Sequence, residues 1–473
     1  MRLGSGLGAG GVLVIALSSG CQVLIGYEDA VLDDAGVGGN SCDIDGGTNG
    51  SETGTDCSST GTGSTDGGPC TPMQSTCADA NMLQVCKLDG SGHDAIYCTL
   101  GCGSMPSPHC KQVAPTGLAP ISDFNAAGLN DTTLGTANIL HTDTGQIEGG
   151  LRAASNDPTS LSVSSGIGFH VVSSGGNAVG VFVFGKLNVS GSPLKIVGTH
   201  PAVLLVRSDV TITAIDVSAD QTMNIPGPGG FSGGTPAVPK GLGPGGGLGG
   251  NQNIFFGGGG GSGHGDHGGA GATIMNATGG LGGASYDTLT LALLRGGSGG
   301  GVSAGGTSNG GAGGGAIQIV SQTSIAIAGG IAAGGAGGRG NKDSSCGGGG
   351  AGGAILLEAP MVVIGDSGYL VTGGGGGGGL SNGNAAGNSN MENFVGLGGL
   401  CGAGHCGGQG GYSALTFGGN GTVDGQTAGC GGGGVGRIRI NTLTGASTLS
   451  MDGALFVPTI ASGLLSQGIV AIQ

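Results

Sequence analysis

The segment GGGGAGGAILLEAPMVVI, residues 347–364, decides the fold of this chain. A polyglycine run leads into the apolar stretch 354–357, and a second apolar stretch, 361–364, follows Pro360. Short apolar stretches that are separated by turn-forming residues are typical of β-strands. The segment therefore predicts two consecutive strands that are preceded by a glycine-rich excursion.

The same unit occurs at two other places in the sequence. One copy spans 315–321 and continues through 324–332, and the other spans 436–441 and continues through 449–451. Ile317 and Ile355 are 38 residues apart, after which insertions of variable length break the spacing. Between residues 179 and 219, short stretches with period-two alternation predict further strands. Repeats of two or three short strands predict a solenoid whose turns accept long insertions.

This pattern resembles right-handed parallel β-helix proteins, the pectate-lyase-like architecture, over most of residues 116–473. It is also similar to glycine-rich exported proteins of Gram-negative bacteria, in which such strands alternate with polyglycine. The resemblance implies an all-β chain that forms a right-handed parallel β-helix, a solenoid with long glycine-rich insertions. It brings no diagnostic catalytic motif with it.

Glycine accounts for 121 of the 473 residues, whereas only 9% of the residues are charged. Collagen is excluded because glycine does not recur at every third position. Disorder is opposed by the hydrophobic residues, which make up 37% of the chain and cluster into strand-like stretches. Two interpretations of the polyglycine runs stay open: mobile loops, or polyproline-II strands that pack backbone to backbone beside the β-helix.

The first residues have the layout of an export signal. Arg2 supplies a positive charge, residues 12–17 are apolar, and small residues run into Cys21. Small residues before a cysteine resemble the lipobox of bacterial lipoproteins, in which the thiol is acylated. The resemblance implies a signal peptide over 1–20, lipidation of Cys21 and attachment to a membrane, at the outer membrane or cell surface of a Gram-negative bacterium. Ordinary signal cleavage, which leaves a soluble secreted protein, is the alternative.

The other cysteines indicate disulfide bonds, because an exported chain with an even number of clustered cysteines is typically cross-linked. Cys42 and Cys57 lie in an acidic, Gly/Ser/Thr-rich tether, 21–69, and flank a short segment that resembles one in surface proteins of Gram-negative soil bacteria. A small disulfide module, 70–115, contains six more, among which fifteen pairings are open: Cys70, Cys77, Cys86, Cys98, Cys102 and Cys110.

Four cysteines remain in the glycine-rich β-helix region, 116–473: Cys346, Cys401, Cys406 and Cys430. We expect two disulfides that tie the glycine-rich excursions together. Zinc binding is the alternative for both groups, with His93 and His109 in the module and His405 beside Cys406.

Residues with catalytic or metal-binding chemistry are sparse. A polysaccharide lyase or hydrolase places acids and bases on one sheet face, and the charged residues at outward strand positions are Lys186, Lys195, Arg207, Asp209, Asp216, Arg437 and Arg439. A solvated face is the plainer interpretation, so no catalytic residue is assigned. His264, Asp266 and His267 are weak candidates for metal ligands, against the interpretation as exposed loop residues. No metal and no cofactor is predicted.

The net charge of −15 and the lack of any Lys/Arg cluster argue against nucleic-acid binding. We therefore expect a cell-surface structural or adhesive lipoprotein without catalytic activity. Its expected partners are a membrane, through the N-terminal lipid, and a polysaccharide or another cell-surface component. The alternatives are a polysaccharide lyase or hydrolase on a β-helix, and a largely disordered glycine-rich surface coat.

Overall fold

The computed structural model describes residues 69–118, 121–135, 137–191, 193–341, 345–383, 395–402, 404–413, 415–449 and 453–473. The predicted signal peptide, Cys21, Cys42, Cys57 and nearly all of the predicted tether lie outside these residues. The described chain is all-β and built on parallel sheets, which confirms the predicted class. Two short 3-10 turns, Ile121–Asn125 and Ile460–Ser462, interrupt it.

A small module after residue 69 is held by three disulfides. Its strands are β1 (Ser75–Cys77), β2 (Met82–Cys86), β3 (His93–Tyr97), β4 (Cys102–Gly103) and β5 (His109–Cys110). Strands β1, β2 and β3 form an antiparallel sheet, and β4 pairs with β5. The disulfides are Cys70–Cys86, Cys77–Cys102 and Cys98–Cys110. Because β3 is exposed along its whole length, these cross-links stabilise a unit that has little apolar core.

The further strands lie mostly in two sheets. In chain order they are β6 (Val113–Ala114), β7 (Thr132–Leu134), β8 (Ile139–His141), β9 (Ser162–Ser164), β10 (Ile167–Ser174), β11 (Asn177–Phe184), β12 (Leu187–Val189), β13 (Leu194–Val197), β14 (Ala202–Val206), β15 (Val210–Asp216), β16 (Ala316–Ser321), β17 (Ser324–Ala332), β18 (Ala354–Glu358), β19 (Met361–Ile364), β20 (Tyr369–Val371), β21 (Leu400–Cys401), β22 (Gly404–His405), β23 (Val423–Asp424), β24 (Thr427–Ala428), β25 (Arg437–Thr442), β26 (Thr448–Leu449), β27 (Leu455–Val457), β28 (Leu465–Ile469) and β29 (Ala471–Ile472).

The first sheet has the order β9-β10-β11-β14-β16-β18-β25-β28. Its first three strands are antiparallel neighbours, and every pair from β11 to β28 is parallel. The register places Ile317, Ile355 and Ile438 directly beside one another. The three copies of the sequence repeat are therefore neighbouring strands of one sheet.

The second sheet has the central order β7-β12-β15-β17-β19-β26, extended by β8, β13, β20 and β27, and all its pairs are parallel. The chain alternates between the sheets, since β15 follows β14, β17 follows β16 and β19 follows β18. Each repeat thus adds one strand to the first sheet and at least one to the second.

The main hydrophobic core contains side chains from both sheets, stacked in rows that follow the register. The first sheet contributes the buried row Phe182, Leu204, Ile319, Leu357 and Ile440, and the second contributes the buried row Val189, Ile212, Ile327 and Ile364. Like residues at equivalent positions of successive repeats therefore make the core, as the period-two alternation predicts.

The two sheets differ in how their outer faces are covered. On the first sheet, outward residues such as Val203 and Leu356 are buried in a second apolar cluster, together with Leu291 and Leu294 from the segment before residue 296. Parallel strands buried on both faces are the usual arrangement. On the second sheet, the outward row is half-buried or exposed and consists of Thr133, Asn188, Thr211, Ala326 and Val363.

The polyglycine runs between the strands pack against one another in a bundle, called the glycine bundle below. Its main runs are 227–234, 239–250, 257–264, 268–272, 279–284, 296–302, 310–315, 333–341, 345–353, 372–379, 407–411, 418–421 and 429–436. Runs 310–315, 345–353 and 429–436 lead into β16, β18 and β25, respectively, so one end of the bundle adjoins the first sheet.

Hydrogen bonds between the runs recur at every third residue. From run 257–264 to residues 245–251 they join the amide of Gly257 to the carbonyl of Asn251, that of Gly260 to Leu248 and that of Gly263 to Gly245. The next amide in each triplet donates to run 268–272, from Gly258 to Ala272 and from Gly261 to Gly269. A repeat of three residues is that of the polyproline-II helix, which has no internal hydrogen bonds and directs its backbone groups outward. Neighbouring runs therefore satisfy each other's backbone groups.

The runs approach so closely that only glycine fits at most positions. A Cβ atom added to Gly261 would overlap the carbonyl of Gly432, and one on Gly350 would overlap the carbonyl of Ala312. Of the two interpretations that the sequence left open, packed polyproline-II strands describe these runs and mobile loops do not.

Two disulfides lie in the glycine-rich region, and one of them ties separate excursions together as expected, whereas the other is local. Cys346–Cys430 joins runs 345–353 and 429–436, which are far apart in the sequence. Cys401–Cys406 closes the small hairpin of β21 and β22. The Cys346–Cys430 disulfide joins the ends of these two runs that are farther from the sheets.

Replacing a glycine inside the bundle by alanine should destabilise the protein. For Gly261→Ala we expect a loss of at least about 2 kcal/mol in the free energy of unfolding, because the methyl group forces two backbones apart. Urea unfolding of the oxidised protein measures it. Gly404→Ala is the matched control, since a Cβ there meets no atom within 4 Å. Equal stability of the two variants would contradict the close packing.

Candidate binding surface

The charged residues on the β11–β15 region do not converge on a common point. Lys186 pairs with Asp209 at 3.6 Å, and Lys195 pairs with Asp216 at 2.8 Å. Hydrogen bonds from Thr323 and Ser324 and the charge of Lys186 outweigh desolvation and lower the pKa of Asp209. Arg207 donates to the carbonyls of Phe124 and Ala126, both at 2.9 Å. Each charge thus has a structural contact of its own within the scaffold.

Arg437 and Arg439 do point to the outer face of the first sheet, as the alternation predicts, but that face is covered. Arg437 is buried, and its guanidinium donates to the carbonyl of Tyr286 at 3.1 and 3.2 Å. Arg439 donates to Asn441 Oδ1 at 2.7 Å and to the carbonyl of Gln467 at 2.8 Å. The interpretation of these two residues as a solvated face is therefore wrong for Arg437.

The fold separates His264 from the other two weak metal candidates, Asp266 and His267. His264 is fully buried, whereas the side chain of His267 is 60% exposed. Asp266 contacts His267 at 2.7 Å and accepts a hydrogen bond from Thr416 at 2.5 Å. In the part of the chain that the structure describes, no three potential ligands come together as a metal site. The expectation that His264 is an exposed loop residue is also wrong.

His264 belongs instead to a buried ionic cluster that the sequence did not indicate. Its Nδ1 lies 2.8 Å from the carbonyl of Gly352, its Nε2 lies 3.4 Å from Asp287, and its ring stacks on Tyr286 at 4.6 Å. Arg295 donates to Asp287 through Nε, at 3.0 Å, and through Nη2. Burial raises the pKa of Tyr286, whose hydroxyl donates to the carbonyl of Gly296 at 2.6 Å.

This cluster joins the glycine bundle to the first sheet. Burial alone would raise the pKa of Asp287, but the 3.4 Å contact with His264 and the hydrogen bonds from Arg295 outweigh it and leave the pKa below its ordinary value. The bond from Arg437 in β25 to Tyr286 connects the same cluster to the sheet. A largely buried group whose members contact both the bundle and the sheet acts as a structural anchor.

The loops at the other end of the bundle, away from the sheets, differ from this cluster in that they are exposed and carry apolar side chains. Three of them, 251–256, 273–278 and 422–428, are called the bundle tip below. The amide of Asn251 donates to the carbonyl of Thr278 at 2.8 Å, and the side chains of the two residues share a 2.9 Å hydrogen bond. Cys346 Sγ lies 3.2 Å from the carbonyl of Ala428, so the Cys346–Cys430 disulfide supports the third loop.

The bundle tip presents apolar side chains to solvent. Ile254 is 86% exposed and Met275 is 67% exposed, while Val423 is 47% exposed. Beneath them lies a small buried cluster of Ala272, Ile274, Ala277 and Ala428, with Phe255 packed against it. A small recess of about 40 Å³ between the first two loops is lined by Asn253, Ile254, Phe255, Met275, Asn276 and Ala277.

Sequence reasoning missed the bundle tip. The signal was present in the stretch Asn253–Phe256, where apolar residues interrupt polyglycine without the alternation of a strand. Exposed apolar groups on loops that a rigid scaffold supports are typical of interaction surfaces. The tip is therefore the candidate binding surface.

Comparisons with known proteins add no identity, since no family model, no curated protein and no solved structure matches this chain. No helix in the described ranges has the length and hydrophobicity that crossing a membrane requires.

Removing the charge of Asp287 should destabilise the protein in a pH-dependent way. At pH 7 we expect Asp287→Asn to cost about 3 kcal/mol, because Arg295 loses its buried counter-ion. Since the pKa of Asp287 is depressed in the folded state, its contribution is present above the unfolded value of about 3.9 and is lost as the pH falls further. The difference from wild type should therefore shrink below pH 4.

Urea unfolding at pH 7 and at several values below pH 4 measures this difference. Asp131→Asn, at an exposed aspartate, serves as the control and should have little effect at any pH. A penalty for Asp287→Asn that is small at pH 7, or that grows on acidification, would contradict the role of this ion pair.

Proposed function

We propose that this protein is an exported, lipid-anchored cell-surface protein that works as an adhesin without catalytic activity. The proposed order is a signal peptide over 1–20, a lipid on Cys21, an acidic Gly/Ser/Thr-rich tether to residue 69, the disulfide module and the glycine-rich domain. The extracellular or periplasmic setting is supported by five disulfides among the described cysteines, because such bonds persist in oxidising compartments.

We further propose that the two sheets are faces of one right-handed parallel β-helix. The regular alternation of the chain between them supports this, since β14–β15, β16–β17 and β18–β19 each add one strand to each sheet. Crossover connections between parallel strands are right-handed in nearly all proteins. In this arrangement the polyglycine runs are insertions at one corner of successive coils.

The observation that carries the adhesive role is the exposure of Ile254 and Met275 on loops at the far end of the glycine bundle, which pack against the third loop that the Cys346–Cys430 disulfide supports. Large exposed apolar side chains are costly to keep in water, and on loop surfaces they commonly mark contact sites. The outward charges of the strands, by contrast, are engaged with one another or with backbone carbonyls. A lyase or hydrolase on this scaffold is therefore the less favoured proposal.

Retention of whole cells tests the proposal. Bacteria that display the full chain should be retained on other bacterial cells or on arrayed surface polysaccharides, without cleavage of the polysaccharide. The double variant Ile254→Ser, Met275→Ser should lower retention at least about tenfold, because each buried apolar side chain contributes roughly 1.5–3 kcal/mol and 1.4 kcal/mol is tenfold.

Two controls make the result specific. Leu88→Ser removes an equally exposed apolar side chain from the disulfide module and should leave retention unchanged. Cys21→Ser should move the protein from the membrane fraction to the soluble fraction. Retention that the double variant does not lower would contradict the adhesive role of the tip. Cleavage of the polysaccharide would support the lyase or hydrolase alternative instead.

A further inference from the structure

A surface groove lies where the β-sheets meet the glycine bundle, at the opposite end of the bundle from its tip. Four chain segments form it: the turn between β10 and β11, the loop before β14, the first run of the bundle, and Arg295. Its volume is about 260 Å³. Sites for drug-sized ligands range from roughly 300 to 1,000 Å³, so this groove is the right size for a ligand of one ring.

The side chains that line the groove are hydrogen-bond donors and one aromatic ring: Asn177, Thr199, His200, Phe231 and Arg295. No carboxylate lines it, although the chain has 28 acidic residues and a net charge of −15. The remaining lining is backbone and small side chains, including Gly176, Gly229 and Gly230, which leave the floor open. The groove is thus donor-rich and free of carboxylates in its lining, and Arg295 is the one positively charged residue among the lining residues.

The donors are held in place by carboxylates that lie outside the groove lining. Asp143 accepts hydrogen bonds from the amide and hydroxyl of Thr199, at 2.8 and 2.7 Å. His200 Nδ1 lies 2.9 Å from the same carboxylate, although the two groups are not aligned for a hydrogen bond. The loop that carries both donors therefore has a fixed position.

Arg295 is positioned in the same way. Its Nε and Nη2 donate to Asp287, and its guanidinium lies 5.4 Å from the centre of the Tyr286 ring. Its Nη1 makes no hydrogen bond with any residue that the structure describes, and a quarter of the side chain is exposed. One guanidinium edge is therefore available for an acceptor in the groove, and carboxylates are among the preferred acceptors of arginine.

We propose that this groove binds a carboxylate-bearing sugar ring, a hexuronate unit of an acidic polysaccharide. Arg295 Nη1 would bind the carboxylate, and Asn177, Thr199 and His200 would bind ring hydroxyls. Phe231 would pack against the apolar face of the ring. This site goes beyond the adhesive role of the bundle tip and shares no residue with it.

Calorimetric titration of the full-length oxidised protein tests the site with three probes: glucuronate, glucose and acetate. We expect glucuronate to bind at least tenfold more tightly than either of the others, because it alone combines the ring with the carboxylate. Asn177→Ala and Arg295→Lys should each weaken glucuronate binding severalfold. Lys240→Gln, which removes an exposed positive charge outside the groove, should not change it.

Glucose binding equal to that of glucuronate, or equal binding of acetate, would overturn the proposal, as would no binding at all. If Arg295→Lys fails to fold, Asn177→Ala decides, because no hydrogen bond among the described residues involves the Asn177 side chain. Glucuronate binding that both variants leave intact would also refute the assigned site. The tip variant Ile254→Ser, Met275→Ser should bind glucuronate normally, which separates this test from that of adhesion.

Discussion

The close approach of peptide backbones in the glycine bundle is the constraint on which the rest of the structure depends. Backbone groups of neighbouring runs bind each other at distances that leave no room for a Cβ atom, as at Gly261 and Gly350. Glycine loses more conformational entropy on ordering than any other residue, and interlocking hydrogen bonds together with dense packing offset that cost. The high glycine content therefore follows from one packing mode, the close contact of backbones in the glycine bundle.

This packing mode explains how the sheets and the insertions coexist. Successive strands of the first sheet are about 4.8 Å apart, a spacing that long loops with ordinary side chains would crowd. Because glycine has no side chain, the backbones of its runs can lie close together. The runs before β16, β18 and β25 therefore leave the sheet side by side. The buried cluster of His264, Asp287 and Arg295 then fixes the base of the bundle, and the Cys346–Cys430 disulfide ties its far end.

The sequence predicted the strands well, because apolar residues alternate with polar ones along them as buried positions alternate with outward ones. Ile317, Ile355 and Ile438 were matched as repeats and are neighbours in register. The sequence could not predict which polyglycine runs are neighbours, since a run without side chains has no pattern that specifies its partners. It also missed the ionic cluster, whose members come from residues 264–295 and 437 and meet only through the tertiary fold. The bundle tip was not predicted either, because the exposure of Ile254 and Met275 depends on loops that only the tertiary fold brings together.

Hydrogen exchange of backbone amides tests most directly whether the glycine bundle is a rigid scaffold. Amides at Gly258, Gly260 and Gly261 are buried and bonded to two neighbouring runs, so they should exchange through cooperative opening only, orders of magnitude more slowly than unstructured glycine. Their protection should match that of buried strand amides such as Ile355. Exchange at the rate of an unstructured chain, with the strands still protected, would mean that the polyglycine runs are mobile and would contradict this account.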